Sequence, residues 1–409
     1  MTAMSRKETM PWAIIICGSV IAMITFGPRS AMGFFQLPLL ADTGWSRETF
    51  GLAIAIQNLF WGLGQPFFGA LGDKYGTARV LMASAVLYAA GLVLMAHPAS
   101  PAMLHVGAGV LIGLGIAAGS FSVILSAFAR NVTPAQRSMA FGIATAAGSA
   151  GMMVFAPLTI GLISALEWRG ALYAMAAMMA AIPFLAFALR GNAASGTQSA
   201  AQFQQTAGEA LREALGHRSY LLLTSGFFVC GFQVAFITAH FPAYLLDIGI
   251  EAWVGGVAML LIGGFNIIGS LAAGYIGQHY SKPWFLALIY IGRSIAVTAF
   301  LLLPITATSV IVFSAVMGLL WLSTVPPTNG LVAIMFGTRH LGLLGGIVFF
   351  SHQIGSFLGV WLGGYLYDHF GTYDPVWWIG VALGVFAAVV HVPIREALVP
   401  GRPALAPAE

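Results

Sequence analysis

"GPRSAMGFFQLP" (residues 27–38) returns 204 residues later as "GFQVAFITAHFP" (231–242): a glycine, ten residues and a proline, each inside a long apolar run. A second pair keeps nearly the same spacing, "GALGDKYG" (69–76) against "GYIGQHYS" (274–281), 205 residues apart. Two motifs sharing one offset mark a duplicated chain, so the organisation of one half predicts that of the other. Working outward, apolar runs long enough for the roughly 20-residue crossing of a bilayer lie at 11–40, 49–71, 80–97, 103–129, 139–165 and 170–189. After a polar interval they resume at 219–245, 253–276, 284–304, 308–335, 341–366 and 376–393. The chain is 59% hydrophobic and 7% charged, against about 25% charged residues in a soluble domain. It reads as an all-α integral membrane protein with twelve spans in two pseudo-symmetric bundles of six.

The basic residues test that count. With both termini cytoplasmic, thirteen of the seventeen Lys and Arg residues fall inside; Arg47 and Arg169 fall outside, and Arg29 and Arg293 within spans. A missed span would scramble this positive-inside bias. The expected parts are an N-terminal bundle (1–190), a cytoplasmic linker (191–217), a C-terminal bundle (218–393) and a cytoplasmic tail (394–409). In the linker, Phe203, Ala207, Leu211 and Leu215 recur every fourth residue, the spacing of a short amphipathic helix lying on the membrane; a plain linker fits equally. The first apolar run exceeds a signal-peptide core and lacks a clear cleavage site, so it is expected to be retained as a span. Cys17 and Cys230 lie in apolar runs and imply no disulfide framework. The net charge of +4 is scattered rather than patched, which gives no nucleic-acid footprint.

"GALGDKYGTAR" (69–79), between the second and third runs, resembles the cytoplasmic signature of the major facilitator superfamily. Gly69, Asp73, Lys74, Gly76 and Arg79 occupy its positions, and the resemblance implies a gating role for them. The second-half copy has Gln278 where the first has Asp73, so it can hydrogen-bond but not form an ion pair. Within the superfamily the chain is similar to bacterial members of the monocarboxylate porter group, in "TGWSRETFGLAIAI" (43–56) and "RSMAFGIATAAGSAG" (137–151). The resemblance implies the major facilitator fold, a monomer, and residence in the inner (cytoplasmic) membrane of a bacterium. It also implies a central cavity bordered by spans 1, 4, 7 and 10. One departure stands out. The carriers' arginine of span 8 has no counterpart, because "FNIIGSLAAGYIG" (265–277) holds no charge.

A guanidinium in hydrocarbon costs roughly 2.5–3.5 kcal/mol on insertion scales, and something must offset it. On span 1, Arg29 and Gln36 align with Gln233 and His240 on span 7; each pair is seven residues apart and shares a helix face. These four are candidate substrate ligands, with Asn266 on span 8 and His352 and Gln353 on span 11. Arg293 on span 9 is a rival anion site or, alternatively, a structural residue. Pro326 and Pro327 must free backbone carbonyls in span 10. All thirteen acidic residues fall in loops, termini or span edges. Arg29 therefore lacks an acidic counter-ion at its depth, which points to an anionic ligand and argues against a cation carrier. His240 and His352 remain as groups able to exchange a proton.

The expected activity is secondary transport of a small organic anion, monocarboxylate-like, by alternating access, with a proton or an exchanged anion as candidate co-substrate. Efflux of an amphipathic metabolite or drug is the alternative. No ATP-binding loop, metal-ligand spacing or nucleophile–base pair appears in the sequence, so no cofactor, metal or enzymatic reaction is expected.

Overall fold

The computed structural model describes residues 11–132, 134–190, 206–337 and 340–399, which are helical with no strand among them. α1 (Trp12–Ser30) passes through a 3-10 turn (Met32–Phe35) into α2 (Gln36–Thr43), followed by α3 (Arg47–Tyr75) and α4 (Thr77–Ala96). Next come α5 (Pro101–Leu104), a π-helical stretch (His105–Leu111), α6 (Ile112–Ala118), α7 (Phe121–Asn131), α8 (Pro134–Met179) and α9 (Ala181–Ala186). The second part holds α10 (Ala207–Gly216), α11 (Arg218–Asp247), α12 (Ala252–His279) and α13 (Lys282–Leu302). It closes with α14 (Ala307–Leu320), α15 (Val325–Phe336), α16 (Leu341–Phe370) and α17 (Asp374–His391).

Among the described residues, ten helical stretches are long and apolar enough to cross a membrane. One of them, Gly142–Leu189, has 48 residues and is broken at Glu167, whose φ is 59°. The 29-residue α3 is not among the ten. α10 opens with a capping box, the Thr206 hydroxyl accepting from the Glu209 amide while the Glu209 carboxylate accepts from that of Thr206. Phe203, expected on the same helix, lies outside the described residues.

The apolar side chains gather in two clusters. One is drawn almost wholly from residues 15–189, the other from residues 214–399 with Ala156. Two antiparallel seams join them. Along α3 and α16, a Cβ at Gly51 would lie 3.0 Å from the Val360 carbonyl, and one at Gly62 would lie 2.9 Å from the Gln353 side chain. Along α8 and α12, a Cβ at Gly263 would lie 2.8 Å from the Met153 nitrogen, and Asn266 Nδ2 donates to Ser149 Oγ at 3.0 Å. Small residues permit such approach between helices in a membrane.

Neither seam runs the full length of its helices. The register of the α3–α16 pairs would set Gly69 opposite residues 344–346, yet a Cβ at Gly69, Gly342 or Gly346 would meet nothing within 4 Å. Likewise Gly142 and Gly274, the next positions along α8 and α12, face open space. Both seams are shut at the end carrying Arg47 and Asp247 and parted at the end carrying Tyr75 and His279.

Candidate functional site

Arg29 sits where α1 fails. Pro28 cannot donate to the preceding turn, and the chain tightens, with Ala31 N donating to Pro28 O and Phe34 N to Ala31 O. The Ser30 hydroxyl ties the turn down on the Gly27 carbonyl at 2.6 Å. The guanidinium reaches α3, where Nη2 donates to Asn58 Oδ1 at 2.7 Å and Cζ lies 4.6 Å from the centre of the Trp61 ring. Asn58 and Trp61 are one turn apart and share a face. Arg29 is half-buried, its Nε has no partner, and no carboxylate bonds to it among the described residues. A small cavity of about 10 Å³, room for roughly one water, separates it from α11 and is lined by Gln57, Asn58, Ala235 and Thr238 among others. Of the groups nearby, Gln353 is fully buried with neither amide atom partnered, and the Trp61 indole N–H is also unpaired.

Arg293, fully buried on α13, has the opposite surroundings. Nε and Nη2 donate to the Leu320 carbonyl at 3.1 and 2.6 Å, Nη2 also to the Trp321 carbonyl, and Nη1 reaches Gln233 Oε1 at 3.4 Å. Those carbonyls belong to the last residue of α14 and the first of the 321–324 interruption that precedes Pro326–Pro327. The arginine thus supplies donors to carbonyls at the C-terminal end of α14.

At the shut end, α3 is fastened to the second half. Arg47 forms a two-pronged pair with Asp247 at 2.6 and 2.7 Å, and Nη1 also donates to the Tyr373 hydroxyl at 2.8 Å. Asp368 accepts from the backbone amides of Arg47 and Glu48 at 3.1 and 2.7 Å, a carboxylate on a helix N-terminus. Trp361 Nε1 donates to Glu48 Oε1 at 3.1 Å. Burial works against the Arg47 charge, but Asp247 and Tyr373 outweigh it and raise its pKa. Burial likewise lifts the Tyr373 phenol, against the pull of Arg47, so the hydroxyl stays neutral.

Beside this cluster, Gln36 and His240 meet each other, Gln36 Nε2 lying 3.2 Å from His240 Nδ1. His240 Nε2 lies 2.8 Å from the Val360 carbonyl and Nδ1 3.2 Å from the Tyr373 hydroxyl. A carbonyl only accepts, so Nε2 carries the proton, and Nδ1 accepts from Gln36 and Tyr373. Backbone packing continues the closure, since a Cβ at Gly33 would lie 2.6 Å from the Thr238 carbonyl.

The expected ligand set therefore divides. Arg29 and Gln353 lie along the seam where it begins to part, and Gln36 and His240 lie in its shut end. Gln233 faces away from Arg29, donating to the Gly380 carbonyl at 2.8 Å and accepting from Arg293. Asn266 bridges Ser149, Ser270 and the Leu322 amide at 3.0–3.2 Å. His352 stacks on Phe349 and lies tilted against Phe227. In the signature, Gly76 adopts φ 90° at the α3–α4 turn, which requires glycine; Lys74 lies over the Tyr75 ring, and Arg79 donates to the Tyr75 carbonyl at 3.3 Å. The Asp73 side chain lies outside the described residues. Arg47, Asp247, Asp368 and Tyr373 were not singled out from sequence, where they read as loop or span-edge residues. The available signal was that Arg47 is one of the two basic residues expected outside; both are paired, Arg169 with Asp42 at 2.6 Å.

Comparison with known proteins agrees with this architecture. A family model described as Major Facilitator Superfamily matches residues 14–360. The uncharacterized MFS-type transporter YcxA of Bacillus subtilis is 24% identical, the match covering 89% of this chain and 90% of that one. Monocarboxylate transporter 13 of Rattus norvegicus is also 24% identical, over 88% of this chain and 83% of its own. Among solved structures, a D-xylose–proton symporter superposes with a TM-score of 0.72 at 14% identity, covering 96% of this chain and 98% of that one.

Proposed function

This chain belongs to the major facilitator superfamily, and we propose that within it the protein is a secondary carrier of a small organic anion. It is a multi-pass membrane transporter, not an enzyme. We count twelve crossings: the ten apolar stretches, α3, and a second passage within Gly142–Leu189 past the break at Glu167. The positive-inside bias assigns the parted end to the cytoplasm, so the proposed state is open inward in an inner membrane.

One observation carries the reading. Arg29 stands where the seam begins to part, half-buried, with one protein hydrogen bond, an aromatic face and no carboxylate partner among the described residues. A guanidinium retained there at a cost of a few kcal/mol is matched by a ligand carboxylate, which its planar fork grips in two places. The likeness to monocarboxylate transporter 13 supports an anionic substrate. Arg293 is assigned to structure, Gln36 and His240 to closure of the outer end, and Asp73 with its signature to the inner gate. Alternating access would then consist of breaking the Arg47–Asp247–Asp368 fastening while the parted ends of the seams close. The test is anion uptake into proteoliposomes: Arg29→Gln is expected to abolish carboxylate flux in a folded protein. Normal flux in that variant would overturn the reading.

A further inference from the structure

The aromatic side chains around Arg29 are continuous from one half to the other. Phe26 stacks on Phe121 at 4.4 Å and 11°, and Phe26 lies 5.8 Å from Trp61. Trp61 meets Phe349 edge-on at 5.2 Å, and Phe349 stacks on His352 at 5.8 Å and 7°. The first three rings belong to α1, α3 and α7 of the first half, the last two to α16 of the second. The run bridges the seam next to the guanidinium, at the level of the Gly62–Gln353 contact, and Phe121 and Phe349 are only partly buried. Beside it lies Gln353, whose stem packs against Gly62, next to Trp61, and whose amide has neither a donor nor an acceptor partner.

Packing alone accounts poorly for this set. A core needs apolar bulk, which leucine supplies without orphaned polar atoms, whereas here the Trp61 N–H and both Gln353 amide atoms are buried and unpaired. Buried polar groups are partnered as a rule. An occupant with a carboxylate, a flat unsaturated body and a polar edge gives partners to the Arg29 guanidinium and the Gln353 amide at once. Its carboxylate meets Arg29, its ring meets the partly exposed Phe121 and Phe349, and its substituent meets the Gln353 amide. Aromatic pairs prefer offset or edge-on contacts at 4.5–7 Å between centres, the range of the existing pairs from Phe26–Trp61 to Phe349–His352.

We infer that the carried anion is an aromatic carboxylate, selected for a planar ring by the Phe121–Phe26–Trp61–Phe349 run. This rests on the reading of Arg29 as the carboxylate ligand. It goes beyond that reading by excluding short aliphatic acids as the preferred cargo.

The test compares three acids on the purified full-length protein by calorimetry: benzoate, cyclohexanecarboxylate of similar size without the flat ring, and propionate. Benzoate is expected to bind about tenfold more tightly than cyclohexanecarboxylate, and Phe349→Leu, which keeps apolar bulk, should bring that ratio to near one. Gln353→Leu should leave the ratio intact and remove the preference for 4-hydroxybenzoate over benzoate. Equal binding of benzoate and cyclohexanecarboxylate, or a ratio unmoved by Phe349→Leu, overturns the inference. If propionate binds as tightly as benzoate and is lost in Arg29→Gln, the aromatic preference fails while the anion reading stands. If no acid binds, or binding survives Arg29→Gln, the anion reading itself fails.

Discussion

Arg29 and Arg293 are the two arginines in spans, and the chain treats them differently. Arg293 has its guanidinium shared among two carbonyls and an amide oxygen, all from its own half. Arg29 has a single amide acceptor and the face of an indole, beside the boundary between halves. A buried cation with its acceptors supplied is part of the scaffold. One that is short of acceptors and stands beside the boundary between halves is the proposed ligand for the carried anion. The difference lies in the neighbours, since the residues are chemically identical.

Breaking the comparison at its stronger side is expected to have the largest effect. A carboxylate about 4 Å from a guanidinium gains roughly 4 kcal/mol at an effective dielectric of 20, so Arg29→Gln should weaken benzoate binding at least a hundredfold. Arg29→Lys, keeping charge but not the fork, should lose less; calorimetry on both proteins checks this. Arg293→Gln strands the Leu320 and Trp321 carbonyls, each costing about 1–3 kcal/mol when left unpaired. It should lower the thermal unfolding midpoint and the yield, while the folded fraction binds benzoate as the wild type does. Loss of binding in folded Arg293→Gln with normal affinity in Arg29→Gln would reverse the two assignments.

A smaller effect is expected at the shut end. Arg47→Gln removes charge-assisted bonds worth about 1.5–3 kcal/mol each, and the outer fastening should open more often. Thr238→Cys, placed with Cys17 and Cys230 replaced by serine, should then react faster with an impermeant thiol reagent added from outside. An unchanged rate would show that the fastening does not hold that end. His240→Gln should act in the same direction and more weakly, since Gln36, Tyr373 and Val360 lose a shared partner. The smallest change is expected far from both arginines. Thr206→Ala removes the cap of α10 and should raise amide exchange over residues 207–210 several-fold, without altering flux. Its hydrogen bonds with the Thr206 amide and hydroxyl hold the Glu209 carboxyl below its ordinary range. The cap's contribution is therefore present above the unfolded pKa and lost as pH falls through the folded one. Exchange measured across acidic pH should show the wild type approaching the variant.

Much of the candidate site was legible one residue at a time. A charge inside an apolar run cannot be overlooked, and Pro326–Pro327 announced freed carbonyls in span 10. What could not be read was that Arg293 of the preceding span reaches the Leu320 and Trp321 carbonyls, because the meeting of α13 with the end of α14 depends on helix rotation. The shut-end network escaped for a related reason. Arg47, Asp247 and Asp368 are ordinary boundary residues until three helix ends converge. The Gln353 orphan pair was visible only as a polar residue in a span, since an unmet hydrogen bond is a property of neighbours.

The repeat shows most sharply where sequence ends and tertiary structure begins. By itself the sequence determined the membrane class, the helical spans and the equivalence of Gln36 with His240 and of Arg29 with Gln233, because hydrophobic length, charge bias and a constant offset are one-dimensional properties. Only the tertiary structure decided that Gln36 and His240 touch each other while Arg29 and Gln233 turn to different partners. Equivalent residues of two halves can meet only beside the axis that relates them. Seven residues along a helix is about 10.5 Å of rise, enough for packing to carry the second pair away from that line. Where each side chain stands relative to the seam is set by helix rotation and crossing, and these are fixed by contacts between segments far apart in the sequence.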